Sequence, residues 1–171
     1  MHNICFKNHT KHNLFMSPLK KFSNSWKFHR KQTLDLLKAA SESNLSFTPG
    51  KNLGTLAKQF RHLANTQNCY LKAINIRKVD FSKKIYGKEF DSKIKLIQIL
   101  KTEDQKLMRV LKKLKADDWN EIILWGGEHN PTIFEHMLWL TDHEVMHHGQ
   151  LIVYWKLLDN KFPKSWEVWG V

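Results

Sequence analysis

The fold turns on residues 132–158, TIFEHMLWLTDHEVMHHGQLIVYWKLL. Thr132 followed three residues later by Glu135 has the form of a capping box, in which each side chain accepts a hydrogen bond from the other residue's backbone N–H. The apolar run behind it continues to about Leu158, roughly 40 Å at the rise of an α-helix. Because this segment is apolar nearly all round, it predicts a helix enclosed by its neighbours.

Working outward, the rest of the chain supplies those neighbours. From Pro18, a first-turn proline, apolar positions recur at Leu19, Phe22, Trp26, Thr33, Leu36, Leu37 and Ala40, the spacing of a helix with one buried face. Turn residues between Ser41 and Asn52, among them Asn44, Pro49 and Gly50, end that helix. A second opens with a stripe of Leu53, Leu56, Ala57, Phe60, Leu63, Ala64, Gln67, Leu71 and Ile74. After a polar connection from Arg77 to Asp91, a third helix is expected from Asp91 or Ser92. It carries Ile94, Ile97, Leu100, Leu107, Val110, Leu111 and Leu114, with Asp104 inside the stripe, until Ala116-Asp117-Asp118 stops it. Ile122 to Trp125, closed by Gly126-Gly127, reads as an extended connection rather than part of a sheet. Four long helices without strand alternation predict an all-α fold, a four-helix bundle over residues 18–171. Residues 1–17 form a loosely attached arm in this reading. The tail from Lys161 to Val171 folds back to bury Trp166 and Trp169.

Composition narrows the function. The chain has 171 residues and a formal net charge of +12, with 28 Lys and Arg against 16 Asp and Glu. One domain with a real core is the expectation at that length. Much of the excess charge is lysine spread singly along helices, at Lys93, Lys95, Lys101 and Lys106 for example, which describes solvated faces better than an arginine-rich nucleic-acid stripe. A basic accessory protein that binds DNA or RNA, with any metal structural or absent, is therefore the second reading. Cys5 and Cys69 have no metal-knuckle or redox spacing and fit a reducing cytoplasm. No segment has the length of a membrane span, and no membrane partner is expected.

The chemistry sits in the opening stretch. His143 and His147 are four residues apart on one helix face, so two imidazoles that start about 5–6 Å apart can meet one divalent ion at about 2.0–2.1 Å. Two buried histidines without an ion would need partners of their own, at about 1–3 kcal/mol for each polar group left unpaired. His143-Glu144-Val145-Met146-His147 also matches the H-E-x-x-H pattern of a metalloprotease, with Glu144 as general base. No histidine follows His148, and no edge strand for a peptide is evident, so that reading is set aside. A third ligand has to come from elsewhere: His62, His29, His136 and Asp104 all qualify. Periodicity puts His62 opposite the main stripe of its helix, on a narrower face with Thr55, Thr66, Cys69 and Ala73. Spacing alone leaves the choice open.

The segment His143-Glu144-x-x-His147-His148-Gly149-Gln150 followed by Tyr154 resembles the DinB/YfiT-like superfamily. Leu56-Ala57-x-Gln59-Phe60-Arg61-His62-Leu63 resembles that family's second-helix histidine segment. Trp26-x-x-x-Arg30 with Thr33-Leu34 resembles its first helix, and Pro163-x-x-Trp166-x-x-Trp169-Gly170 an ending seen in some members. The resemblance implies a four-helix bundle of the DinB/YfiT-like type, with His62, His143 and His147 around a zinc or nickel ion. It implies a metal-dependent hydrolase or thiol-dependent transferase acting on a small molecule, a low-molecular-weight thiol among the candidate partners, and a homodimer formed through helix faces. Three protein ligands leave an ion with open positions, at which a water's pKa falls toward 7 or a thiol binds as thiolate. Glu144, Gln150 and Tyr154 are the expected catalytic or substrate-contacting residues. Where many members carry His-His-Arg-Gly-Gln, this chain has Met146-His147-His148-Gly149-Gln150, which puts His148 in the arginine position.

Overall fold

A computed structural model describes residues 16–171; residues 1–15, most of the arm expected at the N-terminus, lie outside the described residues. Its α-helices are α1 (Pro18–Ala39), the single turn α2 (Glu42–Leu45), α3 (Leu56–Ile76), α4 (Lys93–Leu111) and α5 (Ile133–Leu157). Each long helix begins where a polar side chain takes up a free N–H or a proline removes one. Ser17 caps α1 ahead of Pro18, Thr55 accepts from the Lys58 N–H of α3 at 3.1 Å, and Thr132 with Glu135 closes the expected capping box on α5. α3 ends at Arg77 in the left-handed region (φ 55°). Among the described residues there is no strand, and the extended stretch before α5 makes only two isolated bridges, Lys78 with Leu124 and Ile122 with Thr132.

The four long helices form a square. α3 packs against α4 and α5, and α1 packs against the same two, so α4 and α5 occupy opposite corners. The expectation that α5 is enclosed is thereby corrected. A corner helix has two principal partners, and Leu138, Met146, Val153 and Leu157 remain exposed along its outer side. Two further sequence readings shift. Leu53 precedes α3 and is exposed. The buried side of α4 is Leu96, Ile99, Leu100, Glu103, Leu107 and Leu111, leaving Ile94 at 76 % exposure.

The core is in two layers. One gathers Leu36, Phe60, Leu63, Leu100, Leu151 and Trp155, and the other Phe22, Trp26, Ile74, Leu107, Met137 and Leu140. Midway between them each long helix contributes polar side chains. Arg30 of α1 donates to Gln67 of α3 at 3.0 Å and to Glu144 of α5 at 3.2 Å. Gln67 donates in turn to Asp104 of α4 at 3.0 Å, which also accepts from the Trp26 indole at 3.0 Å. Such a layer is tolerable in a low-dielectric interior because its charges are paired, although among the described residues the Arg30 Nε, 3.5 Å from Asp104, and Nη1 have no hydrogen-bond partner. The C-terminal 3-10 turn, Lys164–Trp169, packs on α1: Trp166 is fully buried and donates to the Gln32 carbonyl at 2.9 Å. Trp169, expected buried, stays 42 % exposed, its ring against His29.

Candidate metal centre

α3 and α5 run side by side at mid-height, and their contact brings His62 to the pair on α5. The His143 and His147 rings lie 4.5 Å apart, with His62 5.2 Å from the first and 4.8 Å from the second. One nitrogen from each of the three falls within 4.8 Å of the others, and the Nε2 atoms of His62 and His143 are 3.2 Å apart. Two nitrogens bound tetrahedrally to one ion at about 2.0–2.1 Å lie about 3.3 Å from each other. The spacing of this pair therefore already suits a shared cation.

The electrostatics agree with that geometry. Burial, and then the neighbouring His147, His62 and Arg30, push His143 down to about 3. Burial and then His62 bring His147 to about 4, against a hydrogen bond from the ring to Gln150 that pulls the other way. His62 is lowered by burial and by the nearby Lys84 and Lys58 ammonium groups. At neutral pH all three rings are thus unprotonated and offer lone pairs, the form that binds a metal. Without a cation, one ring would have to turn an N–H toward its neighbour; with one, all three present lone pairs to the same point. These residues fit a divalent ion.

One ligand is aimed from behind. The His147 Nδ1 lies 3.2 Å from the Gln59 carbonyl oxygen, Gln59 donates to the Tyr154 hydroxyl at 3.1 Å, and Tyr154 donates to the Gly54 carbonyl at 2.6 Å. This chain places the proton on Nδ1 and leaves Nε2 free, as partners behind metal-binding histidines commonly do. Gln59 was overlooked in the residue-by-residue reading. Its signal was its place one turn before His62 on the same side of α3.

The other expected residues are spread around the cluster and beyond it. Glu144 is 1 % exposed and turns toward α1, accepting from Arg30 at 3.2 Å and from the Thr33 hydroxyl at 2.5 Å. It belongs to the mid-height polar layer rather than to the histidine cluster. Gln150 is exposed beside His147. His148 is buried on the far side of α5, 2.8 Å from the Thr33 hydroxyl and against Trp166. Of the remaining ligand candidates, His136 stacks on Tyr70 and sits 3.0 Å from its carbonyl, while Trp125 donates to its other nitrogen at 3.2 Å. His29 lies against His148 and Trp169, and Asp104 is held by Trp26 and Gln67.

Two cavities open onto the cluster. One, of about 330 Å³, has His62, His143, Tyr70, Phe81 and Trp125 among its walls. The other, of about 260 Å³, reaches from His62 to Lys58, Arg61, Lys84 and Lys88. Both are roofed by the α3–α4 connection, which Asn65 anchors by accepting from the Ile85 and Tyr86 N–H groups. The narrower face of α3, with Thr66 and Cys69, is the wall of the aromatic cavity. A larger hollow of about 400 Å³ between α1 and α4 contains none of the three histidines.

Comparison with known proteins bears on most of the chain. A family model described as the DinB superfamily matches residues 25–151. Among solved structures, a DinB-like protein from Bacillus subtilis superposes with a TM-score of 0.69 at 20% identity, covering 85% of this chain and 97% of its own. A DinB-like protein from Bacillus cereus gives 0.71 at 17% identity, covering 83% and 93%. At such identities the likeness is one of fold. No curated protein matched the chain.

Proposed function

The chain belongs to the DinB superfamily, and from that premise we propose that it is a metal-dependent enzyme acting on a small molecule by hydrolysis or by transfer of a thiol. His62, His143 and His147 hold one divalent ion, zinc or nickel. The observation that carries the reading is the convergence of three imidazoles from two helices, with ligand nitrogens all within 4.8 Å, beside an accessible cavity. When bound, such an ion supplies Lewis acidity, which makes a water or thiol acidic enough to act as a nucleophile near neutral pH.

The surrounding residues divide the remaining work. Gln59 and Tyr154 fix the orientation of the His147 ring. Gln150, exposed beside it, is placed to contact substrate. Glu144 acts at one remove: by tying α5 to Arg30 and Thr33 of α1 it sets the rotation at which α5 presents His143 and His147. The exposed Leu138, Met146, Val153 and Leu157 on α5 supply a face on which a homodimer would form. Among the described residues no helix is long and apolar enough to cross a membrane.

Purification without a histidine tag, followed by elemental analysis, tests this reading. About one zinc or nickel per chain is expected, falling to a trace in His143→Ala, with any hydrolytic or thiol-transfer activity lost in parallel. Equal, sub-stoichiometric metal in both proteins would end the proposal.

A further inference from the structure

We infer that the substrate of this centre is a small amphipathic anion, whose flat apolar part lies against Tyr70, Phe81 and Trp125 while a carboxylate or phosphate is met by Lys58 and Lys84. The inference rests on the reading of the three histidines as the reactive centre and specifies what that centre receives.

Continuity of the two cavities is the first ground. His62, Asn65 and Lys84 line both of them, so a ligand that touches His62 has the aromatic wall on one side and the lysines on the other. The aromatic wall is a second. Trp125 meets Tyr70 edge-on at 5.4 Å and Phe81 at 5.6 Å, an arrangement suited to a planar guest, and Phe81 is left 47 % exposed at the mouth. Charge is the third. Arg61 is ion-paired with Asp91, but Lys58, Lys84 and Lys88 have no carboxylate within ion-pairing distance among the described residues. Unneutralised cations around a concave mouth draw in and orient anions, and a cation held by neutral histidines would add to the same field. An anionic group beside the lysines and an apolar ring beside Trp125 would hold the intervening atoms next to His62.

The test is calorimetric binding of 3-(2-naphthyl)propanoate, its neutral amide and propanoate to the intact protein at low salt. It is run on wild type, Lys58→Ala/Lys84→Ala and Phe81→Ala, each with its metal and after dialysis against EDTA. The naphthyl acid should bind about tenfold more tightly than the amide, an advantage lost when both lysines are removed. Phe81→Ala should weaken both naphthyl compounds severalfold and leave propanoate alone. Equal binding of acid and amide by wild type, or an acid advantage that survives loss of both lysines, overturns the inference. An advantage that survives the lysine changes but vanishes with EDTA would assign the anion to the metal instead, leaving the metal reading intact and this one refuted. If no preparation holds metal, the metal reading fails, and the lysine dependence of the acid's advantage still decides this proposal.

Discussion

Replacing Arg30 by Met should be among the most damaging single changes in the protein. Arg30 is 3 % exposed and donates to Glu144 and Gln67 while lying over the Trp26 ring, its guanidinium carbon 4.6 Å from the centroid. Methionine keeps apolar bulk but leaves the Glu144 carboxylate, 1 % exposed, facing a neutral neighbour with only the Thr33 hydroxyl as donor. Breaking a buried ion pair from one side costs about 3–5 kcal/mol, because the charge left behind keeps its desolvation penalty without its partner. The companion Glu144→Gln should restore about 1–2 kcal/mol in the Arg30→Met background by removing that charge. The sign with pH is also fixed. Burial already pushes the Glu144 carboxyl above its usual range against the opposing pull of Arg30, so without Arg30 it rises further. A carboxyl whose value is raised in the fold costs stability in full above that value, and the cost fades as pH falls from there toward the carboxyl's ordinary value, so the loss on Arg30→Met should shrink with falling pH. Urea unfolding followed by tryptophan fluorescence, at about pH 8 and about pH 6, measures all of this. A loss below about 1 kcal/mol, or no recovery in the double variant, would refute the account of the polar layer.

Acid should also act through His136, whose pKa burial lowers from 6.5 to about 4. The unfolded chain then takes up that proton first, so stability is full above about pH 6.5 and declines between 6.5 and 4. This one group accounts for about 3 kcal/mol of the decline. A His136→Gln variant should show a shallower fall by close to one proton, and an unchanged slope would contradict the assignment. Gln59→Leu removes the acceptor behind His147 and should weaken zinc affinity about 10–100-fold in a chelator competition with little change in melting temperature; unaltered affinity would count against the Gln59–Tyr154 chain. Met146→Lys with Val153→Lys places two charges on the exposed side of α5 and should convert a dimer to monomer in sedimentation velocity, whereas a dimer that persists must use another surface.

Much of the fold was legible because helix starts are local. Pro18 and the Thr132–Glu135 box mark two of them within a turn, whatever the rest of the chain does, while the stripe read from Leu53 ran ahead of the Thr55 cap of α3. The rotation of α4 was less legible. It carries apolar residues on two sides, Ile94 and Ile97 against Leu96 and Ile99, and the buried Glu103, which accepts from Asn68 and Tyr86, interrupts the stripe that faces inward. The misplacement of α5 has a similar cause: a helix apolar all round has no moment to orient it, and only the square packing decides which side is left bare. The histidine pair on α5 is a spacing motif and could be found directly. Choosing His62 over His29, His136 and Asp104 could not be done by periodicity, since that depends on how α3 meets α5. Periodicity did place Gln67 and Asp104 in apolar stripes, but only the assembled bundle shows them joined to Arg30 and Glu144 in one connected layer.

The central claim, that three imidazoles share one ion, is tested most directly by X-ray absorption at the metal edge of the zinc- or nickel-loaded protein. The account predicts a shell with three imidazole nitrogens at about 2.0–2.1 Å, reduced to two in His62→Ala. A wild-type spectrum with fewer than three imidazoles, or one unchanged by the loss of His62, would contradict it.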